Sequence, residues 1–357
     1  MSTKQHSEKR VAYLASLSLL FSALELFIPK PLPFFKLGLA NIPIMLSLSL
    51  PAKSFIELIL LKAVASSYIS GTLFSPFLAI SLMQSLGSAL IMRWVKKAAN
   101  DHISLYGVSL IGAECSSLIQ LSLASLYIGR GVWNYMPLML IVSLFASIAT
   151  AYIALAINIE KTPSLNQNGK KDDESNNSAT YLTIGAISIF LTKDIYSALA
   201  VFALTLIMQK LSLRKIRIAP YISIIFFMAL SALFTPEGKV LFSIGNIRLT
   251  DEALKSAMIK ALHLTSSVAL SQSYITEIRF KGKTITLVVE YFYALLSSFK
   301  KTSGKLRDRV NELLSLDFLE SERSEKKNNN TLLIKCFTVV LVLISISSFL
   351  YFYFFSR

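Results

Sequence analysis

The apolar residues of this chain come in long unbroken runs. Six of them fill the first part, at 11–28, 37–51, 54–71, 76–95, 105–128 and 135–158. A helix needs about 20 residues to cross a hydrocarbon core of about 30 Å at about 1.5 Å per residue. Most of the runs have that length, so the pattern predicts an all-α fold, a polytopic transmembrane helical bundle whose first domain, 1–158, holds six helices. The second run is short. Some 14 residues separate Lys36 from Pro51, about 21 Å of helix. Such a segment must tilt, thin the bilayer, or begin with a loop folded into the protein, and Asn41 and Pro43 near its start favour the loop.

Polar breaks divide the rest. Residues 159–180 form a polar cytoplasmic linker, and a second membrane and amphipathic-helix domain spans 181–320. Its first stretch, 181–210, is too long for one span and carries Lys193-Asp194 near its middle, which predicts a hairpin of two short helices. A span at 219–234 and a turn at Pro236-Glu237-Gly238 follow. Residues 251–276 read as a helix capped by Thr250 or Asp251. Leu254, Ala257, Met258, Ala261, Leu262 and Thr265 share one face, with Lys255, Ser256, Lys260 and His263 largely opposite. The pattern leaves open whether this helix crosses the bilayer or lies on it. An amphipathic basic region over 284–320, a charged linker at 321–331 and a last apolar span at 332–355 complete the chain.

Composition agrees: 54% of the 357 residues are hydrophobic and only 16% charged, against about 25% charged in soluble domains. The net charge of +15 does not indicate nucleic acid, because Lys and Arg sit in short loops between apolar runs. Placing Lys4, Lys9, Arg10, Lys53, Arg93, Lys96, Lys97, Lys161, Lys170 and Lys171 on one side leaves Lys30, Lys36 and Arg130 on the other. That asymmetry predicts a multi-pass protein of the cytoplasmic (inner) membrane with a cytoplasmic N-terminus, its basic loops beside membrane lipid. The basic N-terminus lacks a small-residue cleavage signal and reads as an uncleaved first span.

Cys115 and Cys336 and three scattered histidines indicate neither a disulfide framework nor a metal cluster. The acidic Asp172-Asp173-Glu174 lies alone in the linker, and no Gly-x-x-x-x-Gly-Lys-Ser/Thr loop for binding phosphate is present. No catalytic constellation and no cofactor site are read. The chemistry concentrates instead at Glu25–Pro43, where charge and backbone breakers meet the edge of a span. Lys36, Gly38 and Asn41 offer a cation, a close-approach glycine and an amide to a small polar or anionic solute, with Glu25 and Gln120 as further contacts. The alternative is a lysine snorkelling to lipid phosphate beside a helix start. Lys62 and Glu114 sit inside spans, where ions find partners; Lys62 pairs on this reading with Glu114 or Glu57. Ala12, Ser16, Leu19 and Ala23 form a mostly small seam suited to helix docking, within the bundle or against another domain.

The Glu-x-x-x-Pro element from Glu25, the block Lys36-Leu37-Gly38-Leu39-Ala40-Asn41, Gly71, Ser75-Pro76, and Gly112-Ala113 with Gln120 resemble the Gx transporter family, also described as heptaprenyl diphosphate synthase component I. Lys62 stands where that family usually has Arg, and Ser116-Ser117 where it usually has His-Asn. The resemblance covers about residues 10–158. It implies the six-helix substrate-binding S component of energy-coupling factor (ECF) transporters, with ligand near the outer face and the small seam of the first helix docked on a T component. Phe234-Thr-Pro-Glu-Gly238 and Leu249-Thr-Asp-Glu-Ala-Leu254 resemble such a T component, which implies ATPase subunits as partners. No Ala-Arg-small docking motif is evident, and Arg279 is a poor stand-in. The expected function is solute uptake, with substrate binding fused to a scaffold. The alternatives are a non-catalytic membrane component of polyprenyl diphosphate synthesis, or a ligand-free scaffold whose basic segment 279–309 docks lipid or protein.

Overall fold

The computed structural model describes residues 3–25, 38–99, 102–157, 162–166, 178–212, 216, 218–244, 247–275, 282–302, 306–316, 318–320 and 330–355. The first bundle runs α1 (Thr3–Glu25), a 3₁₀ turn (Leu39–Asn41), α2 (Ile42–Leu46), α3 (Ala52–Ser70), α4 (Pro76–Ala98), α5 (Leu105–Ile128), a 3₁₀ turn (Arg130–Tyr135) and α6 (Met136–Ala156). After β1 (Ser164–Asn166) come α7 (Ser178–Ile189), α8 (Ile195–Leu211), α9 (Ile218–Ala232), the hairpin β2 (Val240–Ile244) and β3 (Ile247–Thr250), and α10 (Asp251–Tyr274). The chain ends with α11 (Lys283–Lys301), α12 (Leu306–Ser315), β4 (Phe318–Glu320) and α13 (Thr331–Phe355).

Among the described residues, four segments are long and apolar enough to cross a membrane, at Pro76–Ala98, Leu105–Ile128, Arg130–Ala156 and Thr331–Phe354. Their outward faces leave Met83, Leu126, Ile141, Phe145, Tyr152, Leu343 and Phe354 exposed, which suits hydrocarbon and not water. The protein is an all-α membrane-type bundle.

α1, expected as the first span, and α10, whose place the pattern left open, are not among these four segments, and both are enclosed by other helices. Every residue of α1 from Val11 to Phe21 is buried, as is every residue of α10 from Ala261 to Ser271. A helix enclosed by other helices meets little lipid and carries hydroxyls at small cost where they bond its own backbone. Ser16 and Ser18 donate to the carbonyls of Tyr13 and Leu14, and Thr265, Ser267 and Ser273 do the same in α10. His263, expected on the polar face of α10, is 8% exposed, because α10 lies among α7, α8 and α9.

The second apolar run is broken. α2 is five residues long and turns follow it, so the segment begins as an entering loop and does not form a full spanning helix. The hairpin at Lys193-Asp194 is present: Asp194 caps α8 by accepting from the Ser197 amide (2.6 Å), and Ser348 of α13 donates to the same carboxylate (2.8 Å). Burial alone raises the Asp194 pKa, but these hydrogen bonds outweigh it and hold the carboxyl below its ordinary value.

Among the contacts that join the halves are those made by α11 and by the strands β1 and β4. α11 is amphipathic and packs along α1, with Tyr291 edge-to-face on Tyr13 at 5.7 Å. Its Tyr291 hydroxyl donates to the Pro163 carbonyl (2.9 Å), just before β1 pairs in parallel with β4. Both strands are short segments within stretches whose polarity reads as linker or surface.

Candidate functional site

The cavity of interest lies inside the first bundle and encloses about 70 Å³, against roughly 10–15 Å³ for one water. Glu25, the last residue of α1, is 3% exposed and lines it. Gly38 opens the 3₁₀ turn at φ 83°, a left-handed conformation that suits glycine, and its carbonyl accepts from the Asn41 amide (2.8 Å). Asn41 is thereby fixed at the cavity wall, where its Oδ1 accepts from Lys62 Nζ at 2.6 Å. Lys62, in the middle of α3, is 7% exposed.

The opposite wall comes from α4, α5 and α6. Ser81, Gln84, Ser85 and Ser88 recur on α4 at helical spacing, and Ala113, Ser116, Ser117 and Gln120 repeat that spacing on α5. Gln84 Nε2 donates to Ser116 Oγ (2.7 Å) and to Gln120 Oε1 (3.3 Å), tying the two helices together through buried amides. Beside the cavity, Ser143 of α6 donates to Glu114 (2.7 Å). One carboxylate, one ammonium, three carboxamides and a set of serine hydroxyls thus face a small volume. That inventory can donate to and accept from a compact polar molecule, and it has no room for a long apolar chain. Among the described residues no group of three or more His, Cys, Asp or Glu is placed to hold a metal.

Of the residues singled out from the sequence, Glu25, Gly38, Asn41, Lys62 and Gln120 converge on this cavity. Lys36 lies outside the described residues. Glu114 reaches Ser143 at the cavity's edge, and Glu57 is half-buried and does not line it. Ala12 and Ser16 are fully buried and Ala23 is half-buried on α1, which packs against α3 and α11. Gln84 and its flanking serines were missed. Their i, i+3, i+4, i+7 recurrence within an otherwise apolar span was the available signal.

Comparison with known families bears on this region. Residues 14–157 match the family model described as Heptaprenyl diphosphate synthase component I. Every residue lining the cavity falls within that match. Residues 179–276, which hold α7 to α10, match a domain of unknown function (DUF8519). No curated protein and no solved structure matches the chain.

Proposed function

We propose that the first bundle binds a small polar or anionic solute in the cavity between Glu25, Asn41, Lys62 and Gln120, and that the chain serves uptake of that solute. One observation carries the reading: a polar cavity with both an acid and an ammonium is kept inside a membrane-type bundle. An ion at mid-membrane costs about 2.5–3.5 kcal/mol on insertion scales, so a bundle under no functional demand would lose it. Lys62, held by Asn41, supplies the cation for an anionic or electron-rich group of the solute. Gln84 and Gln120 fix its orientation through amides that are already aligned. On this reading Lys36 approaches from the entering loop, the basic loops face the cytoplasm, and the second bundle is the scaffold against which the first moves, with ATPase subunits as external partners.

The test is native mass spectrometry of the full chain released from detergent, searching for a co-purifying small molecule. A bound metabolite that is lost in Lys62→Gln and Lys36→Ala, with the fold intact by circular dichroism, supports the site. A chain that carries no small molecule, or one retained equally by both variants, overturns it.

The family description of residues 14–157 supports a second reading, a membrane-bound component of polyprenyl diphosphate synthesis. A cavity of about 70 Å³ is too small for a polyprenyl chain, and with no paired aspartate-rich motifs in the sequence the role on that reading is non-catalytic. Prenyl transfer by the purified chain with Mg²⁺ would refute that restriction.

A further inference from the structure

A second and larger cleft, about 490 Å³, lies where the two bundles meet. This is within the range of roughly 300–1,000 Å³ typical of ligand pockets. Tyr127 of α5 forms one side, Phe190, Thr192 and Lys193 of the α7–α8 turn another, and the first half of α10 the floor. Lys193, Lys255 and Lys260 all line it, against a single carboxylate, Glu252. The cleft therefore carries an excess of positive charge next to aromatic and aliphatic surface.

Its inner part is constructed and not merely exposed. Lys260 donates to the Ile128 carbonyl at the C-terminal end of α5 (3.1 Å), while the Tyr127 hydroxyl donates to the Lys260 carbonyl (3.2 Å). This reciprocal pair fixes the half-buried lysine stem, and an ammonium has three donors, so donors remain for a further acceptor. Deeper in, the Thr192 hydroxyl lies 3.0 Å from the Ile189 carbonyl and 2.7 Å from His263 Nε2 and bridges the two. The cleft also runs beside the first turns of α10, where backbone dipoles favour negative charge.

We propose that this cleft binds a phosphate-type anion at the seam between the two bundles, either a free (di)phosphate or the headgroup of an anionic lipid whose tail lies along Phe190 and Ile259. Lysines serve phosphate as point charges on flexible stems, which suits three of them approaching from separate elements. The site is separate from the cavity around Lys62 and stands or falls independently of it.

The test uses the full chain in nanodiscs of zwitterionic lipid, titrated with inorganic phosphate and with pyrophosphate, and in nanodiscs of mixed phosphatidylglycerol and phosphatidylcholine, with retained lipid read by native mass spectrometry. Lys193 and Lys255 are exposed, so Lys193→Gln/Lys255→Gln leaves the packing intact. That double variant is expected to weaken binding about tenfold or more, and Glu252→Gln to tighten it. Saturable binding of free phosphate or pyrophosphate that responds in this way supports the site with a soluble anion. Retention of phosphatidylglycerol that responds in this way supports it with lipid as the source. Absence of both, or binding unchanged in the double variant, overturns the proposal.

Discussion

Replacing Lys62 with Met and Asn41 with Ala, singly and together, isolates the contact that holds the entering loop to α3. Lys62 is 7% exposed and donates to Asn41 at 2.6 Å. Interhelical hydrogen bonds between neutral groups in membrane proteins average about 0.6 kcal/mol and reach about 1.7. Hydrogen bonds to charged groups contribute about 1.5–3 kcal/mol, and a short one shielded from water belongs to that class. A coupling free energy of about 2 kcal/mol is therefore expected from the double-mutant cycle. The single changes should differ. Asn41→Ala strips an acceptor from a buried ammonium and is the more damaging, whereas Lys62→Met keeps the length of the side chain and removes the desolvation cost of the ion. The assay is reversible unfolding in mixed micelles, followed by helical circular dichroism. A coupling of about 0.6 kcal/mol or less would refute the assignment of Lys62 as a charged, water-shielded donor.

Three further outcomes follow from packing and capping. Asp194→Ala removes the α8 cap and the tie to Ser348, and the cap alone is worth about 1 kcal/mol. Because its folded pKa is lowered, Asp194 stabilises the fold above its unfolded pKa of about 3.9, and this is lost as pH falls through the lower folded value. The gap in melting temperature between Asp194→Ala and the native chain should accordingly narrow as pH falls below about 3.9. Gly185 sits where α7 crosses α10 and α13, and an added Cβ would lie 2.9 Å from Thr338 and 3.0 Å from Leu270. Gly185→Val should cost about 1–3 kcal/mol by overpacking, read as a lower unfolding midpoint. Tyr274→Phe removes the buried hydroxyl contact to Thr338 of α13 (2.6 Å) and should cost about 0.6–1.7 kcal/mol in the same measurement.

What the sequence makes legible depends on what each helix touches. α4, α5, α6 and α13 expose apolar side chains over much of their surface and so announce themselves by apolarity. The α7–α8 hairpin is legible because Lys193 and Asp194 interrupt an apolar run, and the entering loop before α2 because Pro43 and Asn41 break one. α10 is not legible as a central element. Its Thr265, Ser266, Ser267, Ser271 and Ser273 lower its hydropathy, yet all are buried by neighbours that hydropathy cannot reveal. The packing of α11 on α1 and the pairing of β1 with β4 escape for a related reason, since both depend on partners more than 100 residues away. At the cavity, Glu25, Lys62 and Gln120 stand out as polar groups in apolar runs. The serines of α4 are common in membrane helices, and only their recurrence opposite α5 gives them meaning.

The polar stretch after residue 158 separates the two halves in sequence, but it does not separate them physically. α1 is enclosed only because α11, from the far half of the chain, covers the side that α3 and the entering loop leave open. Buried residues of both helices, among them Tyr13, Leu17, Tyr291 and Leu295, belong to one continuous apolar cluster. The same helix carries Glu25 at its C-terminal end into the polar cavity. α1 is therefore at once a wall of the candidate site and the inner face of the seam with the second half. A helix so enclosed shifts as a rigid body, because close-packed interiors transmit displacement and do not absorb it. Any change in how Glu25 sits is for that reason felt along the Tyr13–Tyr291 contact, and the physical unit that contains the site includes α11 as well as the six helices that precede the linker.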